Sequence, residues 1–145
     1  IRDSVASRGL GDVYKRQARD DYRTGRMRLR VGVVGSRRRK DADAVFRLIE
    51  SLPKNSVVVS GGCWGPDTWA TDWAKKLELP YIEYLPDMPP HGSSPWEFTK
   101  AYYARNRKLA ENVDILYAFV ASDRKGGTEN TIRHAENFGV EVVIK

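Results

Sequence analysis

Three glycine-containing segments hold the residues whose types and spacing suit chemistry in this chain: Gly35-Ser36-Arg37, Gly61-Gly62-Cys63-Trp64-Gly65 with Asp67 close behind, and Gly126-Gly127-Thr128-Glu129. Each of them follows an apolar run, and the second and third open directly into stretches of helical spacing. The first N–H groups of a helix have no acceptor within it and sit at the positive end of its dipole, so such a junction suits an anion, most often a phosphate. Glycine lets the backbone turn tightly and lets a ligand approach it closely. Ser36 adds a hydroxyl and Arg37 a bidentate fork for phosphate, although the run Arg37 to Lys40 taken alone is equally a solvated basic turn. Asp67 has the chemistry of an N-cap for the helix it precedes. Trp64 is suited to stacking on a base, since every base has a π-face, and equally to packing. Thr128 is placed to bond a phosphate while capping its helix. Glu129 suits either the helix dipole or ribose hydroxyls.

Other chemistries find less support. Cys63 lies near a helix start, a position that can activate a thiol as a nucleophile, yet neither His91 nor His134 is placed as its partner, so it reads as a small packed cysteine. No His or Cys occurs at metal-ligand spacing, and the residues call for no metal and no cofactor. With a single cysteine no intrachain disulfide forms, which suits a reducing cytoplasm. No apolar run approaches the roughly 18 residues that cross a membrane, and no secretory signal is read.

The elements that must position these residues follow from the apolar pattern. At 145 residues the chain holds one domain with a substantial core. Short apolar runs alternate with helical patterns, which predicts an α/β, three-layer Rossmann-like fold: a five-stranded, mostly parallel sheet with helices on both faces. The predicted strands are Leu29–Val34, Ser56–Ser60, Tyr81–Tyr84, Ile115–Val120 and Glu141–Ile144. A helix from Asp41 to Leu52 presents Ala42, Val45, Phe46, Ile49 and Leu52 on one face and stops at Pro53. The next, beyond Asp67, presents Trp69, Ala70, Trp73, Ala74 and Leu77. A turn-rich loop, Pro86 to Pro95, leads to a long helix ending near Asn112 that packs Trp96, Tyr102, Tyr103, Leu109 and Ala110 inward. The last helix, Thr128 to Phe138, turns Ile132, Ala135 and Phe138 to the sheet. The first strand is expected at the centre, the second and third to one side, the fourth and fifth to the other. The three glycine turns then converge on the crevice at the switch point, beyond the strand C-termini.

Residues 1–26 lack apolar periodicity, whereas MRLRVGVVGSR starts a strand directly after Met27. DVYKRQ, Asp12 to Gln17, also resembles the translation of a transposon end used to prepare sequencing libraries. The expected organisation is a non-native or disordered leader over 1–26 and one domain over 27–145. The leader carries seven basic and four acidic residues, so the body keeps only +3 of the formal +6. A strongly basic nucleic-acid binder is correspondingly disfavoured.

The succession VGVVGSR, SGGCWGPD, ARNRKLAENVDILYAF and GGTENTI resembles the SLOG superfamily, the Rossmann-like group containing DNA-processing protein A and the lonely guy cytokinin-activating enzymes. Within it the sequence looks most like the small stand-alone YspA-type branch, over nearly all of Met27 to Lys145. The resemblance implies that Gly35, Ser36, Arg37, Gly61, Gly62, Gly65, Asp67, Arg105, Asn106, Gly127 and Thr128 fall on the ligand crevice. Read without it, Arg105 and Asn106 are polar residues on the outer face of a helix, open to an ordinary surface ion pair. It also implies a nucleotide or nucleotide-derived ligand, ADP-ribose-type signals included, and pairing as a homodimer, for which exposed aromatics such as Tyr102 or Tyr103 would serve. Lonely guy enzymes cleave a nucleotide's base from its ribose 5-phosphate, using a PGGxGTxxE motif whose glutamate takes part. Here that position falls on Thr131. Glu129 lies two residues earlier, about 200° around a helix, and cannot simply substitute.

The expected function is therefore binding of a small phosphorylated nucleotide derivative, an NAD- or ADP-ribose-derived or cyclic nucleotide signal, by a cytoplasmic sensor or sequestering sponge. A viral sponge against bacterial immune signalling is one form of this. The alternative is a nucleotide hydrolase or phosphoribohydrolase using Asp67 or Glu129. Nucleic-acid binding in the manner of DNA-processing protein A, with Arg37 to Lys40 on phosphates, ranks last.

Overall fold

Val57, Val58 and Val59 are all buried because β2 lies inside a sheet covered on both sides. The structure, a computed structural model, describes residues 28–145, and the leader assigned to 1–26 lies outside the described residues. In chain order the elements are β1 (Leu29–Gly35), α1 (Ala42–Ser51), β2 (Ser56–Ser60), α2 (Pro66–Lys76), β3 (Tyr81–Glu83), α3 (Pro95–Glu111), β4 (Ile115–Phe119), α4 (Gly127–Asn137) and β5 (Glu141–Ile144). The strands run in the order β3-β2-β1-β4-β5 with every pairing parallel, as the alternation of strands and helices requires.

Strand periodicity divides the core into two layers. Val31, Val33 and Val58 meet Val45 and Ile49 of α1 and Ala70 and Ala74 of α2 on one face. Val34, Val57, Val59, Leu116 and Ala118 meet Leu109 and Ala110 of α3 and Ile132 and Ala135 of α4 on the other. Phe46 stacks on Trp73 at 4.3 Å between ring centroids and joins α1 to α2. The chain reverses its winding between β1 and β4, so the switch point lies over their C-terminal ends.

Element boundaries differ from expectation by a residue or two. β1 runs on to Gly35, which pairs with Phe119 at the end of β4. α1 ends at Ser51, and Leu52 is extended at ψ 147°, as the residue before a proline must be. The inward set of α3 needs correction. Its buried residues, Arg105, Asn106, Leu109 and Ala110, all lie in its second half. The first half reaches past the apolar sheet, which leaves Trp96 62% exposed and Tyr102 and Tyr103 outside the core. Leu77 is also exposed, at the C-cap of α2 beyond its packed face.

α3 starts on a reciprocal cap. Ser94 Oγ accepts the Glu97 N–H at 3.3 Å, and the Glu97 carboxylate accepts the Ser94 N–H at 2.9 Å. Ser94→Ala is expected to cost about 1 kcal/mol and roughly 4 °C in Tm, read from thermal unfolding followed by circular dichroism.

Candidate functional site

The C-terminal ends of β1 and β2 are tied together by one buried carboxylate. Asp67 Oδ1 accepts the Gly35 N–H at 3.2 Å and Oδ2 accepts the Gly61 N–H at 2.9 Å. Asp67 is thus no N-cap: that position belongs to Gly65, and Asp67 sits in the first turn of α2 with its side chain turned back under the sheet edge. Burial pushes its pKa up to about 6, against the opposing pull of the Gly61 N–H, the Arg105 charge and the N–H groups of Gly35 and Cys63.

Arg105 brings its charge near this carboxylate from α3 and is itself buried. Its Nη1 donates to the carbonyls of Gly61 and Tyr84, Nη2 donates to Cys63 Sγ at 3.2 Å, and Nε donates to Asn106 Oδ1 at 2.9 Å. Asn106 in turn donates from Nδ2 to the Gly127 carbonyl at 3.4 Å and to Asn130 Oδ1 at 3.2 Å. Arg105 and Asn106 therefore link the Gly61 turn to the start of α4 in a satisfied polar network, not a surface ion pair. Only glycine fits at position 61, because a Cβ there would lie 2.9 Å from Arg105 Nη1 and 3.0 Å from Asp67 Oδ2.

Above this network lies a crevice of about 440 Å³. Val34, Gly35, Ser36, Arg37 and Arg38 form one wall, Gly61, Cys63 and Asp67 the floor beside it, and Lys125, Gly126, Gly127, Thr128 and Thr131 the far wall. α3 closes it with Thr99, Tyr102, Tyr103, Arg105, Asn106 and Leu109. Gly126, with no side chain to offer, occupies the N-cap of α4, and Thr128 lies inside the helix and does not cap it. The first-turn N–H groups of Gly127 and Thr128 have no acceptor within the helix and border the crevice. Thr131 is buried against the crevice, and its hydroxyl donates back to the Gly127 carbonyl at 3.4 Å.

The charges around the mouth are unequal. Arg38 forms a bidentate pair with Asp123, at 2.7 and 3.0 Å. Arg39 is engaged by Asp41 and by the carbonyls of Val120 and Lys145. Arg37 and Lys125, both on the crevice wall, make no ion pair among the described residues. Glu129 is held by Arg124 at 2.8 Å and lies off the wall, as do Gly62, Gly65 and Trp64, the last 71% exposed. The wall residues that sequence reasoning did not assign to ligand binding are Val34, Thr99, Leu109, Lys125 and Thr131, with Tyr102 and Tyr103, which it had assigned to packing or pairing. Their helical spacing, Thr99, Tyr102, Tyr103 and Asn106, was the available signal.

A parallel sheet in this order, with glycine turns meeting over its switch point, defines an α/β protein with a Rossmann-like fold. The X-ray structure of DNA processing protein A from Streptococcus pneumoniae superposes with a TM-score of 0.67 at 22% identity, over 81% of this chain and 50% of that one. The X-ray structure of TM1055 gives a TM-score of 0.60 at 21% identity, over 79% of this chain and 72% of that one. The chain thus spans half the length of the DNA processing protein A chain. In sequence it is 31% identical over 120 residues to the Gene 61 protein of Mycobacterium phage D29, covering 79% of this chain and 94% of that protein. The chain belongs to the family of that phage protein. No protein-family model matches it. No described helix is long and apolar enough to cross a membrane.

Proposed function

We propose that the crevice binds a small phosphorylated nucleotide derivative, an NAD- or ADP-ribose-derived or cyclic nucleotide signal, and that the chain is a sensor or sequestering sponge of the YspA-type branch. The observation that carries this reading is the meeting, on one crevice of about 440 Å³, of the free first turn of α4 with Ser36, Arg37 and Lys125. Backbone N–H groups at a helix start and an unpaired guanidinium are the donors that phosphate takes, and the volume is that of a small-molecule site. Asp67 is the carboxylate on the wall, and both its oxygens already accept backbone N–H groups. With Thr131 where the lonely guy enzymes carry glutamate, binding is favoured over base cleavage.

A phage relative is compatible with a sponge acting on a bacterial host's nucleotide signals in the host cytoplasm, and pairing as a homodimer belongs to this same reading. Nucleic-acid binding is disfavoured because Arg38 and Arg39 are neutralised by Asp123 and Asp41, which leaves no continuous basic face along Arg37 to Lys40. One observation favours a hydrolase: the pKa of Asp67, raised to about 6, suits a general acid or base. Release of free adenine from a nucleotide, lost in Asp67→Asn, would establish that reading.

Calorimetric titration with ADP-ribose and cyclic nucleotides tests the binding claim. Arg37→Ala is expected to weaken the ligand that binds by roughly 10- to 100-fold, the worth of a charge-assisted pair to phosphate. Equal affinities in the two proteins would remove Arg37 from the phosphate site.

A further inference from the structure

We infer that Tyr102 and Tyr103 form the seat for a planar base, so that the ligand is a nucleotide carrying its base and not a bare sugar phosphate or an inorganic polyphosphate. The inference rests on the reading of the crevice as a site for a phosphorylated nucleotide derivative and adds the place of the base to it.

Both tyrosines line the crevice, yet they are 38% and 40% exposed. They lie on one stripe of α3 with Thr99 and Asn106, the stripe that faces the crevice and not the apolar sheet. The phosphate-type donors lie elsewhere on the wall, on Ser36, Arg37 and the first turn of α4. The two side walls of the crevice therefore carry the cations and free N–H groups, while the helix closing it is aromatic. That is the division a nucleotide makes between its phosphate and its base.

The Tyr102 ring also has a cation beside it. The Arg105 guanidinium lies 5.8 Å from its centroid, and Arg105 is itself fixed by the Gly61 and Tyr84 carbonyls. A ring beside a hydrogen-bonded cation and still partly bare has a π-face to offer a second planar group. Trp64, the aromatic residue that its glycine loop brings to notice, is outside the wall.

The test compares the wild type with the double variant Tyr102→Ala/Tyr103→Ala, the double phenylalanine variant and Trp64→Ala, each titrated with ADP-ribose, 3′,5′-cyclic AMP and ribose 5-phosphate. The alanine pair is expected to weaken whichever nucleotide binds by roughly 10- to 100-fold. The phenylalanine pair should stay within about threefold, since the π-face survives. Trp64→Ala should change nothing, and ribose 5-phosphate should bind all four proteins alike. Nucleotide affinity unchanged in the alanine pair overturns the inference. So does an equal loss for ribose 5-phosphate, which would mean general damage to the crevice. If the wild type binds none of the three probes, the nucleotide reading itself fails and takes the inference with it.

Discussion

Asp67→Ala is expected to lower the free energy of unfolding by about 3–5 kcal/mol, the cost of breaking up a buried charged network. The substitution strips two buried N–H groups, those of Gly35 and Gly61, of their acceptor, at roughly 1–3 kcal/mol each. It also takes the carboxylate from beside Arg105, whose positive charge is then left in a buried site. The same residue gives stability a pH signature. Burial raises the folded-state pKa from the ordinary carboxylate value to about 6, so ionising Asp67 works against the fold. Its contribution is complete below about pH 4 and is lost as the pH climbs through 6, a change of about 3 kcal/mol. Urea unfolding at pH 4.5 and 7.5 checks this against Asp67→Asn, which lacks the titration. The difference between the two proteins should shrink as the pH rises, and a constant difference would show that Asp67 does not titrate between the two pH values.

Gly35→Ala is expected to destabilise by about 3 kcal/mol, at the upper end of overpacking costs. A Cβ at this position would lie 2.4 Å from Pro66 Cγ, 2.7 Å from Pro66 Cβ and 2.9 Å from Phe119 Cβ. None of these atoms ends a flexible side chain, so the start of α2 or the end of β4 has to move. Either shift disturbs the Gly35 N–H bond to Asp67 and the rim carrying Ser36 and Arg37. Gly127→Ala is the control, because a Cβ there meets nothing within 4 Å. It should stay within about 0.5 kcal/mol of the wild type in chemical denaturation.

The fold was legible because its signals are local and agree with one another. Val57 to Val59 and Val31 to Val34 read as strands whichever layers cover them, and the alternation with helices leaves few connections that right-handed crossovers permit. The site was legible where chemistry depends on backbone position, as at the glycine turns after β1 and β2 and before α4. It was not legible where it depends on how a helix is rotated and how far it overhangs. Tyr102 and Tyr103 read as core from spacing alone, yet the first half of α3 extends beyond the sheet and turns them to the crevice. Trp64 and Glu129 drew attention by residue type. One lies off the wall on an exposed turn, and the other is taken up by Arg124 five residues before it. Asp67 had the right chemistry for an N-cap, but two N–H groups from neighbouring strands compete for its oxygens. One of those strands is distant in sequence and cannot be seen from local pattern.

The most direct test of the central claim is native mass spectrometry of the protein as isolated from cells, then after incubation with ADP-ribose and cyclic nucleotides at millimolar concentration, with released molecules identified after denaturation. One intact nucleotide-derived molecule per crevice is expected, carried by the wild type and depleted in Arg37→Ala. A protein that stays empty under both conditions, or that takes up only oligonucleotides with an affinity growing with strand length and falling steeply with salt, would contradict it.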